Sequence, residues 1–130
     1  MLFRSILIFS FSLCFQFFTH AQEIDTLLQV DSHKLHFKII KGKGTPILFE
    51  SGNGDDSSVW EPLLQDIHKA TGATLITYDR AGLGKSSLDS TRISFKQEVK
   101  DLGAALKPLG YGGALVCVAH SCGSFFASAL

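Results

Sequence analysis

Three short apolar runs, separated by stretches with helical spacing, constrain the fold of this chain more than any other feature. Residues 47–49, 73–78 and 114–118 are almost continuously apolar, which is typical of strands buried on both faces of a sheet. Between them, apolar residues recur every three or four positions over 59–67 and 95–109, which predicts amphipathic helices. Strands that alternate with helices form a mostly parallel sheet, so we predict an α/β fold.

A hairpin precedes these runs in the sequence. Apolar and polar residues alternate on both sides of a turn at residues 31–33, which predicts two antiparallel strands with one buried face. His33 and His36 lie on this hairpin, where we expect them to be exposed rather than to form a metal-binding pair. The predicted sheet is therefore entered through an antiparallel hairpin.

The first 21 residues differ in character from the rest of the chain. Arg4 carries their only charge, residues 6–18 form an apolar run, and Ala21 ends the segment with a small residue. This pattern is typical of a secretory signal peptide, and the run is short against the ~20 residues that span a membrane. We expect cleavage after Ala21, which would export residues 22–130 to a periplasmic or extracellular location without a stable membrane span. An uncleaved anchor is the alternative.

The composition argues against several classes of protein. Twelve basic and twelve acidic residues give a net charge of zero, which does not suit a nucleic-acid binder. An apolar content of 45% argues against disorder. Once Cys14 leaves with the signal peptide, only Cys117 and Cys122 remain, too few for a disulfide framework. We interpret them as buried free thiols, with a bridge between them as the alternative.

A serine stands in a short segment between the third apolar run and a further apolar stretch, residues 124–130, which predicts a buried helix. This segment, residues 119–123, reads A-H-S-C-G. A nucleophile elbow, G-x-S-x-G, has this context because its strained turn needs small residues two positions either side of the serine. Ala119 replaces the first glycine and Gly123 supplies the second. Ser121 is thus the predicted nucleophile, and we expect His120 to pack beside it rather than serve as its base.

A second glycine-rich loop follows the first apolar run. An oxyanion hole takes one backbone N–H from the residue after the nucleophile and another from a loop after an earlier strand. Cys122 occupies the first position, and Gly52 and Gly54 lie in the loop that offers the second. Glycines allow the backbone to approach a ligand closely. We interpret the nearby acidic residues as loop solvation and helix capping: Glu50, Asp55 and Asp56.

Three segments, in the same order, resemble the α/β-hydrolase family: residues 49–54 with Trp60, residues 78–87, and the elbow at 119–123. The resemblance implies that Asn53 donates the second oxyanion N–H. It also implies a supporting turn near the site, formed by Asp79, Arg80, Gly82 and Gly84. The implied substrate is a small carboxylic ester, amide or thioester. Epoxide hydrolases and dehalogenases of this family are expected to carry Asp where Ser121 stands.

The middle segment also resembles a phosphate-binding loop, because Gly84-Lys85-Ser86 matches its G-K-S ending. Asp79 stands where that loop needs glycine, and residues 86–92 are a poor helix start. We therefore interpret Lys85 as a solvated surface charge. We expect no nucleotide, no metal ion and no other cofactor.

The residues after the serine lack the rest of a catalytic triad. In this family an acid and then a histidine follow the nucleophile along the chain. Residues 122–130 contain neither Asp, Glu nor His. We therefore expect residues 22–130 to be the N-terminal portion of an exported hydrolase domain, truncated after the elbow and inactive alone. A non-catalytic binding module, or an inactive remnant of the same fold, is the alternative.

Overall fold

The computed structural model describes residues 21–130, so the predicted signal peptide lies outside the described residues up to His20. Residues 21–130 form five strands and three α-helices, with 3₁₀ helices at Ser57–Trp60 and Ser90–Arg92. In chain order the main elements are β1 (Glu23–Val30), β2 (His33–Ile40), β3 (Ile47–Glu50), α1 (Glu61–Thr71), β4 (Leu75–Asp79), α2 (Phe95–Leu106), β5 (Val116–Ala119) and α3 (Gly123–Ala129). This alternation confirms the predicted α/β fold class.

The five strands form one mixed sheet in the order β1-β2-β4-β3-β5. The predicted hairpin of β1 and β2 is present, and β3 pairs in parallel with both β4 and β5. The pairing of β2 with β4 is antiparallel, so the sheet is mixed: an antiparallel hairpin is joined to the parallel strands β3, β4 and β5. The register places Phe49 beside Thr77 on one side and Val118 on the other. The carboxyl ends of β3, β4 and β5 therefore meet at one edge, where the predicted site loops follow.

The hairpin buries more than one face, and the predicted exposure of its two histidines is wrong. His33 is 5% exposed and His36 is 2% exposed. Strand β2 lies between β1 and β4, and the chain after β4 continues alongside it, where the His36 N–H donates to Ser86 Oγ at 2.9 Å. His36 Nδ1 lies 2.8 Å from Asp79 Oδ2, and its Nε2 lies 2.7 Å from Asp25 Oδ1. Both ring nitrogens of His36 are therefore hydrogen-bonded to carboxylates rather than to solvent.

Helices cover both faces of the sheet. Helix α1 packs on one face, and α2 packs on the other together with α3. Gly72, with φ +64°, ends α1 in the left-handed conformation that favours glycine. The α2 face is built around Phe37, Ile39, Leu48, Ile76, Leu102 and Leu106. The α1 face is built around Ile40, Phe49, Leu64 and Leu75.

The last strand and helix are less buried than their sequence predicts. In α3 only Gly123 is buried, and Phe125 is 66% exposed, so the predicted buried helix is wrong. Strand β5 lies at the edge of the sheet formed by residues 21–130, where Val116 and Val118 are exposed. A continuous apolar run indicates burial only when neighbouring elements cover both of its faces.

Two further sequence predictions concern thiols and membranes. Cys117 and Cys122 are free, as predicted, although each is only partly buried. Within the described part of the chain, no helix is both long and apolar enough to cross a membrane.

Candidate active site

Ser121 occupies a strained turn between β5 and α3. Its φ angle is +53°, a left-handed conformation that side chains other than glycine rarely adopt. The Gly123 N–H closes the turn by donating to the His120 carbonyl at 3.0 Å, and the Ser124 N–H donates to the Ser121 carbonyl at 3.2 Å. Ser121 itself is exposed. The geometry is that of a nucleophile elbow.

The residues two positions either side of Ser121 explain why the motif needs small side chains. A Cβ atom added to Gly123 would lie 2.6 Å from the carbonyl oxygens of both Glu50 and Ser51, so only glycine fits. Ala119 ends β5 opposite Glu50 and is exposed, which gives its methyl group room. Alanine is therefore compatible with this elbow at the first position but not at the second.

The loop after β3 lies directly against the elbow. A Cβ atom added to Gly52 would lie 2.8 Å from His120 Nδ1, and Gly54 adopts φ +80°. Among residues 21–130, no group accepts a hydrogen bond from the backbone N–H of Asn53 or of Cys122. The two N–H groups predicted for an oxyanion hole are thus both available to a ligand.

Side chains from two neighbouring elements hold this loop in shape. Ser51 Oγ donates to the Asp56 carbonyl at 3.1 Å and accepts from Trp60 Nε1 at 3.1 Å. From the end of β4, Arg80 donates through Nη1 to the Ser51 carbonyl at 2.6 Å and through Nη2 to the Gly52 carbonyl. The guanidinium of Arg80 also lies over the ring of Phe126, 4.8 Å from its centroid.

Asp79 organises the turn that follows β4. Its Oδ1 accepts the Ser57 N–H at 2.8 Å, and its Oδ2 accepts the Lys85 N–H at 2.9 Å and contacts His36. Burial favours a higher pKa for Asp79, but these hydrogen bonds hold its pKa below the usual value. A Cβ atom on Gly84 would lie 2.3 Å from the Asp79 carboxylate.

The same turn needs left-handed glycines. Gly82 and Gly84 adopt φ +80° and +51°. Lys85 lies in this turn rather than at the start of a helix, and its side chain is exposed, 3.3 Å from Asp25. This segment thus lacks the helix that a phosphate-binding loop requires, and its role in supporting the site stays a prediction.

Glu50 is buried, so its interpretation as a solvated loop residue is wrong. It ends β3, is 0% exposed, and accepts the Tyr78 hydroxyl at 3.0 Å on each carboxylate oxygen. Burial raises the pKa of Glu50 to about 7, against the opposing effects of the Tyr78 hydrogen bond and the Arg80 charge. The only local signal was its place directly after three apolar strand residues. A carboxyl group that titrates near neutral pH therefore lies beneath the elbow.

Asp56 and His120, two further candidate residues near this loop, have different surroundings. Asp56 caps the first 3₁₀ helix by accepting the Ser58 N–H at 2.9 Å, which confirms its capping role. The His120 side chain is largely exposed, and its Nδ1 lies 3.9 Å from Asp55 Oδ2. That His120 does not act as the base of Ser121 stays a prediction. In the part of the chain that the structure covers, no three His, Cys, Asp or Glu side chains are grouped to hold a metal ion.

Comparison with known proteins identifies the class. A family model described as the alpha/beta hydrolase fold matches residues 45–130, and the chain belongs to this family. It is 38% identical over 96 residues to the uncharacterized protein YqjL of Bacillus subtilis, a match that covers 73% of this chain and 37% of YqjL. RutD of Azorhizobium caulinodans, provisionally named a carbamate hydrolase, is 34% identical over 71 residues, covering 55% of this chain and 26% of RutD.

A solved structure gives the same class. The Cif epoxide hydrolase from Acinetobacter nosocomialis matches with a TM-score of 0.68 and 28% identity, covering 78% of this chain and 31% of that chain. This chain thus spans only about a third of the length of the proteins it resembles. The activities of those proteins therefore do not transfer directly to residues 21–130.

Proposed function

We propose that this chain carries the nucleophile and the oxyanion hole of an exported serine hydrolase that acts on small carboxylic esters, amides or thioesters. One observation carries the proposal. Ser121, in its strained turn, lies beside a loop whose Asn53 N–H has no acceptor within residues 21–130, and the N–H of Cys122 has none either. Two such donors suit a carbonyl oxygen that becomes negatively charged.

The reaction follows from these positions. Ser121 Oγ attacks the carbonyl carbon, its proton passes to a general base, and the carbonyl π electrons move onto the oxygen that faces Asn53 and Cys122. When this tetrahedral intermediate collapses, the bond to the leaving group breaks, the leaving group takes up a proton, and an acyl-serine remains. Water then attacks the acyl carbon and gives a proton to the general base. The bond to Ser121 Oγ breaks, Ser121 takes the proton back, and the carboxylic acid is released.

The general base and its orienting acid are proposed to lie outside this 130-residue sequence. Residues 122–130 contain no Asp, Glu or His, although the family places both groups after the nucleophile. The chain alone should then react slowly, since the oxyanion hole supplies only part of the rate enhancement.

An acyl substrate is favoured over an epoxide despite the likeness to an epoxide hydrolase. The resemblance gives epoxide hydrolases an aspartate nucleophile, whereas this chain has Ser121. No nucleic-acid partner is proposed, because the net charge of zero offers little attraction to phosphates.

Export is proposed from residues 1–21 alone. The apolar run between Arg4 and Ala21 suits a cleaved signal peptide. Expression in a secretory host followed by N-terminal sequencing tests this, and a mature protein should begin at Gln22. A protein that keeps Met1 and stays inside the cell would contradict export.

Labelling with a fluorophosphonate tests the nucleophile. The polypeptide from the complete reading frame that contains these residues should be labelled, and Ser121→Ala should abolish the label. Ser128→Ala is the control, because Ser128 is an exposed serine of α3 that donates only to the Phe125 carbonyl. Label that survives Ser121→Ala would refute the proposal, and so would the absence of label in the complete protein. Rapid labelling of the 130-residue chain would refute the proposed location of the base.

A further inference from the structure

We propose that Arg80 is a positioning residue of the oxyanion hole: its guanidinium aims the Asn53 N–H and ties the loop that carries it to the helix after Ser121. The catalytic meaning of this inference rests on the proposed function, although its structural content does not. Arg80 itself touches no reacting atom in this scheme.

The hydrogen bonds of Arg80 fix the plane of one particular peptide. Its planar fork reaches two consecutive carbonyl oxygens, those of Ser51 and Gly52. The Gly52 carbonyl belongs to the same peptide unit as the Asn53 N–H, and in a trans peptide these two groups point in opposite directions. A guanidinium that holds the Gly52 oxygen on one side therefore turns the Asn53 N–H toward the other side, away from Arg80.

The same side chain connects the loop with the elbow. The guanidinium carbon lies 4.8 Å from the centroid of the Phe126 ring in α3, a helix that begins two residues after Ser121. Phe126 in turn packs on Phe95 of α2, with ring centroids 4.9 Å apart. One rigid group thus sets the position of the Asn53 donor relative to the helix that starts beside the Cys122 donor.

Burial makes this arrangement stiff. Arg80 is only 7% exposed. Burial raises the pKa of both Glu50 and Glu98, and the charge of Arg80 opposes that rise in each. The side chain has little freedom to swing out, because its departure would leave the buried Ser51 carbonyl without a donor and the Gly52 carbonyl with only a long 3.4 Å bond from the Asp55 N–H. A lysine at this position could donate to one of the two carbonyls, but it lacks the planar pair of N–H groups with which Arg80 reaches both.

The first test measures the loop without any reaction. In ¹⁵N-relaxation experiments on the full chain, the Asn53 order parameter should be close to the rigid value of about 0.85 and should fall below about 0.6 in Arg80→Met. Arg92→Met is the matched control, because Arg92 bonds to Asp31 and Asp101 and none of its bonds reaches the loop. An Asn53 order parameter that is the same in Arg80→Met and wild type would overturn the inference.

The second test uses the rate of fluorophosphonate labelling in the complete protein. Arg80→Ala should slow labelling about 10- to 100-fold, the range expected when a donor is misplaced, and added guanidinium ion should restore much of the rate. An equal concentration of sodium ion should not. Labelling of Arg80→Ala at the wild-type rate would overturn the inference, and so would a slow rate that guanidinium leaves unchanged.

A further pair of variants protects the test if Arg80 variants do not fold. Phe126→Leu keeps the Arg80 guanidinium but removes the aromatic ring against which it packs. This variant should also slow labelling, by a smaller factor than Arg80→Ala. Phe125→Leu, one residue earlier and exposed, should have no effect. Equal labelling rates for Phe126→Leu and Phe125→Leu would refute the role proposed for the contact between Arg80 and Phe126. If wild type is labelled no faster than Ser121→Ala, the proposed function fails, and the order parameter alone decides the role of Arg80.

Discussion

Replacing Glu50 by glutamine should remove a loss of stability that develops as the pH rises. The pKa of Glu50 is about 7 in the folded protein, against 4.5 for the ordinary group. Between these two pH values the folded state holds a proton that the unfolded state has released, so the free energy of unfolding falls as the pH rises. At 1.36 kcal/mol per pH unit, the full fall amounts to about 3 kcal/mol, and it is complete above pH 7 or so.

Glutamine keeps the shape of Glu50 and an oxygen that accepts the Tyr78 hydroxyl, but it cannot ionise. Glu50→Gln should therefore resemble wild type near pH 4.5 and be more stable by up to about 3 kcal/mol at pH 8. Other groups titrate in both proteins, so their contributions cancel in the difference between the two unfolding free energies.

Urea unfolding, followed by the fluorescence of the single Trp60, measures this difference across about pH 5 to 8. Glu23→Gln is the control, since Glu23 is exposed and its substitution should change stability by less than about 0.5 kcal/mol at any pH. A difference between Glu50→Gln and wild type that stays constant with pH would refute the reasoning. A Glu50→Gln variant less stable than wild type at pH 8 would refute it as well.

Three more predictions concern stability and can be checked by the same urea experiment. Gly123→Ala should destabilise by about 2 kcal/mol or more, because its methyl group would strike the carbonyls of Glu50 and Ser51. Gly103→Ala in α2 would meet only Leu130 Cδ1, at an ordinary 3.8 Å, and should stabilise by up to about 1 kcal/mol. Equal effects would contradict the steric argument. Phe37→Ala should cost about 3 to 5 kcal/mol, since Phe37 is fully buried, and Phe125→Ala should cost little. A small loss for Phe37→Ala would show that the core is loose. Asp56→Ala should cost about 1 kcal/mol through loss of its cap, and an unchanged midpoint would exclude that role.

The elbow can be predicted from the sequence because its requirements are local. A strained turn needs a small residue at a fixed distance from the serine, and Gly123 meets that need where the Glu50 and Ser51 carbonyls leave no room for a side chain. The two helices and the strands were predicted for the same reason, since periodicity and a C-terminal glycine such as Gly72 act over a few residues.

The wrong predictions all concern burial, which depends on distant partners. The burial of Glu50 cannot be predicted from the sequence because its partner Tyr78 lies on another strand, and no local pattern joins the two. The exposure predicted for His36 is wrong because alternation within the hairpin cannot show that β4 pairs with β2 and brings Asp79 against the imidazole. The bonds from Arg80 to the loop after β3 have no local signal either, since they connect residues that only the parallel pairing of β3 and β4 brings together.

The strand order also bears on the sequence of events in folding. The β1–β2 hairpin closes through a two-residue turn and can form early, because short loops cost little entropy to close. Strand β3 can pair only with strands that come later in the chain, first β4 and then β5, and α2 separates those two in the sequence. We expect the edge strand β5 to pair last and to open first, which amide exchange at Val116–Ala119 would reveal as weaker protection than in β4. Ser121 lies two residues after that strand, so its turn would be the last part of the site to assemble and the first to be lost.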